Sequence, residues 1–196
     1  MTDVIALHTE GLTKHYGDVK ALVDLDLDVR PGEVVGFLGP NGAGKTTTIR
    51  TVMDEIRPTA GRASILGMDC HADSVEIRRH IGYLPSDLAL YPNLTGKDTL
   101  TYFANLRGGV DWTYVALLAE RLGAELDKKV GDLSSGNRQK VGVIAAFMNR
   151  PELLIMDEPS NGLDPVSQRE FQTMMREVVA EGAAVFLSSH TLSEVQ

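Results

Sequence analysis

The 196-residue sequence has a single cysteine, Cys70, so it holds no internal disulfide framework and fits a reducing compartment. It has no run approaching the ~18 consecutive apolar residues of a membrane-crossing helix. The opening residues Met1-Thr2-Asp3-Val4 lack the basic start and apolar core of a signal peptide, and none is expected. Basic residues are also scarce. Lys and Arg number 19 against 27 Asp and Glu, for a net charge of −8, and no basic block occurs. That balance argues against a grip on nucleic-acid phosphates, and no nucleic-acid partner is expected. Internal repeats and low-complexity segments are absent. Hydrophobic residues at 43% and charged residues at 23% exclude a disordered chain and match a globular one with its own core.

What is present is concentrated in short stretches. Val34 to Leu38 are apolar, enter through the turn Pro31-Gly32-Glu33, and read as a buried strand. The next residues, Gly39-Pro40-Asn41-Gly42-Ala43-Gly44-Lys45-Thr46-Thr47, fit the phosphate-loop pattern G-x-x-x-x-G-K-[ST], and a helix is expected from Lys45 onward. Glycines let the backbone turn its N–H groups onto an anion, with a helix N-terminus behind it. In this pattern Lys45 reaches the β- and γ-phosphates and the Thr46 hydroxyl ligates Mg²⁺, so the loop implies a nucleoside triphosphate.

A second apolar strand, Leu153 to Met156, ends in Asp157 and Glu158. A strand-end aspartate beside a phosphate loop suits Mg²⁺, and the following glutamate suits the polarising of an attacking water. A third stretch, Leu133-Ser134-Ser135-Gly136-Asn137, stands before a helix expected to start near Asn137, with Ser134 or Ser135 as its cap. Local physics alone reads it as an ordinary capped helix.

Elsewhere the pattern predicts a β-rich start, an α/β core around the phosphate loop, a helical insertion and then more α/β. Ile5–Thr9 reads as an edge strand. Ala21–Val29 reads as a strand with Val23, Leu25, Leu27 and Val29 on its dry face. Ala63–Leu66 and Ile81–Leu84 read as strands, Ser74–His80 as a short helix, and Leu94–Met148 as a helical insertion. Val166–Glu181 reads as an amphipathic helix and Ala184–Leu187 as the last strand. The chain stops a few residues into an expected helix after His190, which reads as a missing C-terminal segment.

The phosphate loop, "LSSGNRQK" and "LLIMDEPSNGLDP", in that order and spacing, resemble the nucleotide-binding domain of ABC transporters across essentially all 196 residues. The resemblance implies a single α/β domain over 1–196: a P-loop NTPase core with an antiparallel β subdomain and a helical subdomain at about 90–150. It implies that Gly39 to Thr47 form the Walker A loop around ATP, Asp157 with Thr46 serves Mg²⁺, and Glu158 is the catalytic glutamate. Ser134, Ser135, Gly136 and Asn137 correspond to the signature motif, which closes on the nucleotide of a second copy. Ser135 and Asn137 depart from its usual L-S-G-G-Q. Asp164 falls in the D-loop, His190 corresponds to the switch histidine, and Tyr16 to the aromatic residue that stacks on adenine. A glutamine normally follows "IGYLP", where this chain has Ser86 and then Asp87.

The implied function is an ATP-hydrolysing subunit of a membrane transporter, most similar to bacterial drug, antibiotic or polysaccharide exporters. It would act as a head-to-tail homodimer, peripheral on the cytoplasmic face, beside a separate membrane-spanning permease. The alternative is a soluble ABC-type ATPase uncoupled from transport. A non-catalytic nucleotide-binding regulator is disfavoured by the intact Lys45, Asp157, Glu158 and His190.

Overall fold

The computed structural model describes residues 5–190, so the helix expected after His190 lies outside the described residues. In chain order the elements are β1 (Leu7–Tyr16), β2 (Val19–Val29), β3 (Val34–Leu38), α1 (Lys45–Val52), β4 (Ala60–Ile65), β5 (Met68–Asp69), α2 (Ser74–His80) and β6 (Ile81–Leu84). There follow α3 (Gly96–Leu106), α4 (Trp112–Leu122), a 3₁₀ turn at Val130–Asp132, α5 (Ser135–Phe147), β7 (Leu153–Asp157), α6 (Pro165–Ala180) and β8 (Ala184–Ser189).

Two four-stranded sheets organise these elements. One is antiparallel in the order β2-β1-β4-β5, and the other is parallel in the order β3-β8-β7-β6. Strand alternation divides the parallel sheet into two faces. Leu153, Ile155, Ala184 and Phe186 face Ile49 and Val52 of α1 and Met53 just after it, and beyond them Leu7, Leu12 and Ile65 of the antiparallel sheet. Leu154, Met156, Val185 and Leu187 face the helical side, where Val143, Ile144 and Phe147 of α5 meet Phe171 and Met174 of α6. A parallel sheet covered on both faces needs strands that are apolar throughout, and all five residues of Leu153–Asp157 are buried.

The helices start where local chemistry starts them. Thr95 and Asp98 form a reciprocal capping box at α3, Asp111 caps α4, and Asp164 caps α6 ahead of Pro165. Ser134 caps α5, which begins at Ser135, two residues before the position expected from sequence.

The antiparallel sheet corrects two readings. β1 is not an edge strand; it lies between β2 and β4 and runs on to Tyr16. In β2, Asp24 adopts φ +52° and the register slips, with Leu12 opposite Leu25 but Lys14 opposite Leu22. The extra residue turns Val23 out to 57% exposure and gives the dry position to Leu22. A bulge of this kind breaks the period of two, and aspartate is among the few residues that accept it without large strain.

Candidate active site

The phosphate loop, the acidic pair, His190 and Ser86 all stand at the carboxyl ends of strands of the parallel sheet. The phosphate loop follows β3, Glu158 follows β7, His190 follows β8 directly, and Ser86 follows β6 through Pro85. The ladder holds them in register, with Leu38 opposite Ser189, Asp157 opposite Ser188, and Leu84 opposite Met156. Open α/β sheets bind ligands at this edge, because the strand ends there leave loops and helix N-termini facing a common crevice.

The loop is built for close backbone approach. Gly44, at φ +85°, caps α1, and a Cβ there would stand 2.6 Å from the Ala21 carbonyl oxygen of β2. Only glycine satisfies both constraints. Pro40, Asn41, Gly42 and Ala43 are exposed, while Thr46 and Thr47 are partly buried in the first turn of α1. Lys45 is 6% exposed and curls back beneath the loop. Its Nζ donates to the Gly39 carbonyl at 2.5 Å and lies 3.2 Å from Glu158 Oε1. The second oxygen of Glu158 is 2.7 Å from His190 Nδ1. Lysine, glutamate and histidine from the loops after three strands therefore form one contiguous polar chain. Glu158 is held there at φ +52°, a left-handed conformation costing a non-glycine residue about 1 kcal/mol or more. Asp157 is 1% exposed and accepts a hydrogen bond from Ser188 Oγ.

The signature stretch makes its contacts inside the chain. Ser134 Oγ accepts from Asn137 N at 3.2 Å. Asn137 is buried: its side-chain oxygen accepts from Glu125 N and its amide donates to Glu125 O, both at 2.9 Å. Gly136 packs on the loop after Glu158 so closely that a Cβ would stand 2.6 Å from the Gly162 carbonyl oxygen. Gln139 Nε2 donates to Pro159 O at 2.9 Å, and Lys140 Nζ lies 3.3 Å from Asp164 Oδ2. The Ser167 hydroxyl and backbone N–H, with Lys140 beside them, hold the Asp164 carboxyl well below the usual carboxylate range. Among the described residues no hydrogen bond joins Ser134–Asn137 to residues 39–47.

The family model for the ABC transporter domain matches residues 22–161. The chain belongs to the ABC transporter family. It is 39% identical over 193 residues to the bacitracin transport ATP-binding protein BcrA of Bacillus licheniformis, covering 97% of this chain and 63% of that protein. It is 33% identical to the probable multidrug ABC transporter ATP-binding protein YbhF of Escherichia coli (strain K12), covering 97% of this chain and 34% of that protein. The chain thus spans less than two thirds of the length of these relatives. A solved ATP-binding subunit of an ABC transporter superposes with a TM-score of 0.87 at 33% identity, covering 96% of this chain and 80% of that one.

In this ABC protein the loop after β6 opens onto a cavity of about 640 Å³, lined by Ser86, Asp87, Leu88, Arg107 and, at the sheet edge, Asp157. Tyr83 also lines it; burial, then the charge and hydrogen bond of Glu55, push its phenol up. Tyr16 ends β1 and is 48% exposed, with Lys14 Nζ 5.0 Å from its ring centroid. The donor set fits Mg²⁺ better than a softer metal. Thr46 and Asp157 are hard oxygen donors, and Mg²⁺ takes only one or two from protein, the rest being phosphate oxygens and water. Ser188 escapes a reading of the sequence, because its relation to Asp157 depends on which strands are neighbours. The glycine, lysine, aspartate and glutamate carry local motif signals and do not escape.

Proposed function

We propose that the chain binds MgATP in the loop Gly39–Thr47 and hydrolyses its terminal phosphoanhydride. The observation that carries this reading is the contact of Lys45, Glu158 and His190 at adjoining strand ends of the parallel sheet. With nucleotide in the loop, Lys45 exchanges its pairing with Glu158 for the β- and γ-phosphates. The freed carboxylate of Glu158 orients a water and takes its proton as the water oxygen bonds to the γ-phosphorus. ADP departs with the bridging oxygen. His190 shares Glu158 in the resting site and is placed to contact the transferred phosphoryl group. Bound Mg²⁺, held through Thr46 and Asp157, would neutralise developing charge on the β- and γ-oxygens. The exposed ring of Tyr16 is available to stack on a base.

The same reading makes the chain one cassette domain that drives a membrane exporter from the cytoplasmic face. Similarity to bacitracin and multidrug ATP-binding proteins supports export. No helix among the described residues is long and apolar enough to cross a membrane. On this reading the chain pairs with a separate membrane-spanning permease. Two copies pair head to tail, each presenting Ser134, Ser135 and Gly136, with the nearby Asp164 loop, to the other's nucleotide. Asn137 serves from within its own chain, holding the start of α5 to Glu125. Steady-state phosphate release with ATP and Mg²⁺, alongside Glu158→Gln, tests the reading. We expect Mg²⁺-dependent turnover in the parent and loss of it in the variant. Equal rates would overturn the assignment of Glu158.

A further inference from the structure

Ser188 sits on β8 directly opposite Asp157 on β7 and is fully buried. Neighbours in register on parallel strands point their side chains to the same face. The Ser188 hydroxyl is used in both directions. It donates to Asp157 Oδ1 and accepts from the backbone N–H of Glu158 at 3.0 Å. One hydroxyl therefore touches both acidic residues of the proposed site, the side chain of one and the backbone of the next.

We propose that Ser188 is a positioning residue for metal binding. By occupying one oxygen of Asp157 it sets the rotation of that carboxylate and leaves the other oxygen for Mg²⁺. By accepting from Glu158 N, which is shared with the Ser188 carbonyl at 3.3 Å, it helps to hold the left-handed turn that carries the Glu158 side chain back toward Lys45. Valine or alanine at this position leaves the buried Asp157 oxygen without its donor, and the carboxylate turns to seek another. Threonine keeps the hydroxyl and suits a strand. Loss of a group that orients a metal ligand lowers metal affinity about 10- to 100-fold.

The inference rests on the MgATP reading, and the comparison of Ser188→Thr with Ser188→Val is chosen because the two side chains share a shape and differ in the hydroxyl. Mn²⁺ binding to the ADP-loaded protein, followed by electron paramagnetic resonance, reads the metal without any hydrolysis. ADP binding in excess chelator reads the phosphate loop alone. We expect Ser188→Thr to bind Mn²⁺ as the parent does and Ser188→Val to bind at least about tenfold more weakly, with chelator-state ADP affinity the same in all three. Equal Mn²⁺ affinity in the threonine and valine variants would overturn the role of Ser188. A parent that binds neither ADP nor Mn²⁺ would overturn the MgATP reading and take this inference with it. Should the valine variant fail to fold, Ser188→Ala, which adds no bulk, replaces it in the same comparison.

Discussion

Lys45 has two anionic partners in prospect, the carboxylate it now touches and the phosphates it is placed to receive. The resting contact with Glu158, 3.2 Å away and largely shielded from water, competes with nucleotide. Glu158→Gln removes the competing charge and the base together. It should bind ATP no more weakly than the parent while hydrolysis falls at least ~100-fold, as titration calorimetry and phosphate release will report. Lys45→Ala should abolish tight ATP binding, because it strips the cation from a site gathering three or four negative charges and leaves the half-buried Glu158 without it; unchanged affinity in calorimetry would contradict this. Ser86 and Asp87 are exposed on the cavity rim rather than packed against the metal-side residues. A serine hydroxyl reaches one bond beyond Cβ, and a water easily bridges the remainder. Ser86→Ala and Asp87→Ala should each change the hydrolysis rate by less than about tenfold, and a collapse of either at saturating Mg²⁺ would mean that this loop supplies a ligand.

Among the elements, α5 is stitched to the loop after β7 through Gly136, Gln139 and Lys140, which ties the start of that helix to the turn that carries Glu158. Gly136→Ala puts a methyl 2.6 Å from a backbone oxygen, and the overpacking should destabilise the protein by about 1–3 kcal/mol. Denaturant unfolding without nucleotide checks this; unchanged stability would place the need for glycine solely in contacts with a second copy. At the other end of the sheet, His80 closes α2 and bonds Glu152, just before β7, at 2.9 Å. The Glu152 hydrogen bond, helped by Glu76, raises the imidazole above its ordinary 6.5. A raised folded-state value stabilises fully below 6.5 and is lost as pH climbs through that higher value. The side chain is 38% exposed and well screened, so the effect is modest. The Tm advantage of the parent over His80→Gln should shrink from about pH 6 to about pH 9, and a constant difference across that range would rule the linkage out.

Taken whole, the molecule is a phosphate loop and its helix clasped between two sheets, with a helical layer on the far face of the parallel one. Under the proposed reading two copies divide the labour between the phosphate loop of one and the exposed serines at the start of α5 of the other. Ser134→Arg places bulk and charge on that exposed turn. It should leave ATP binding by the isolated chain intact and abolish both ATP-dependent pairing in sedimentation and hydrolysis. Loss of ATP binding by the variant monomer would count against action between copies.

The sequence by itself determined the local units. β3, α2 and β6 occupy the spans that their periodicity predicts, and the turn glycines, the lysine and the paired acids stand where short-range geometry requires them. These features depend on neighbours within a few residues, so a linear reading reaches them. The tertiary structure alone decided the rest. It placed β1 inside its sheet, turned Val23 outward at the Asp24 bulge, tied Asn137 to Glu125 and brought Ser188 against Asp157 across 31 positions of chain. Each of these depends on which distant segments pair and in what register, and a change of strand neighbour or a slip of one residue would undo it.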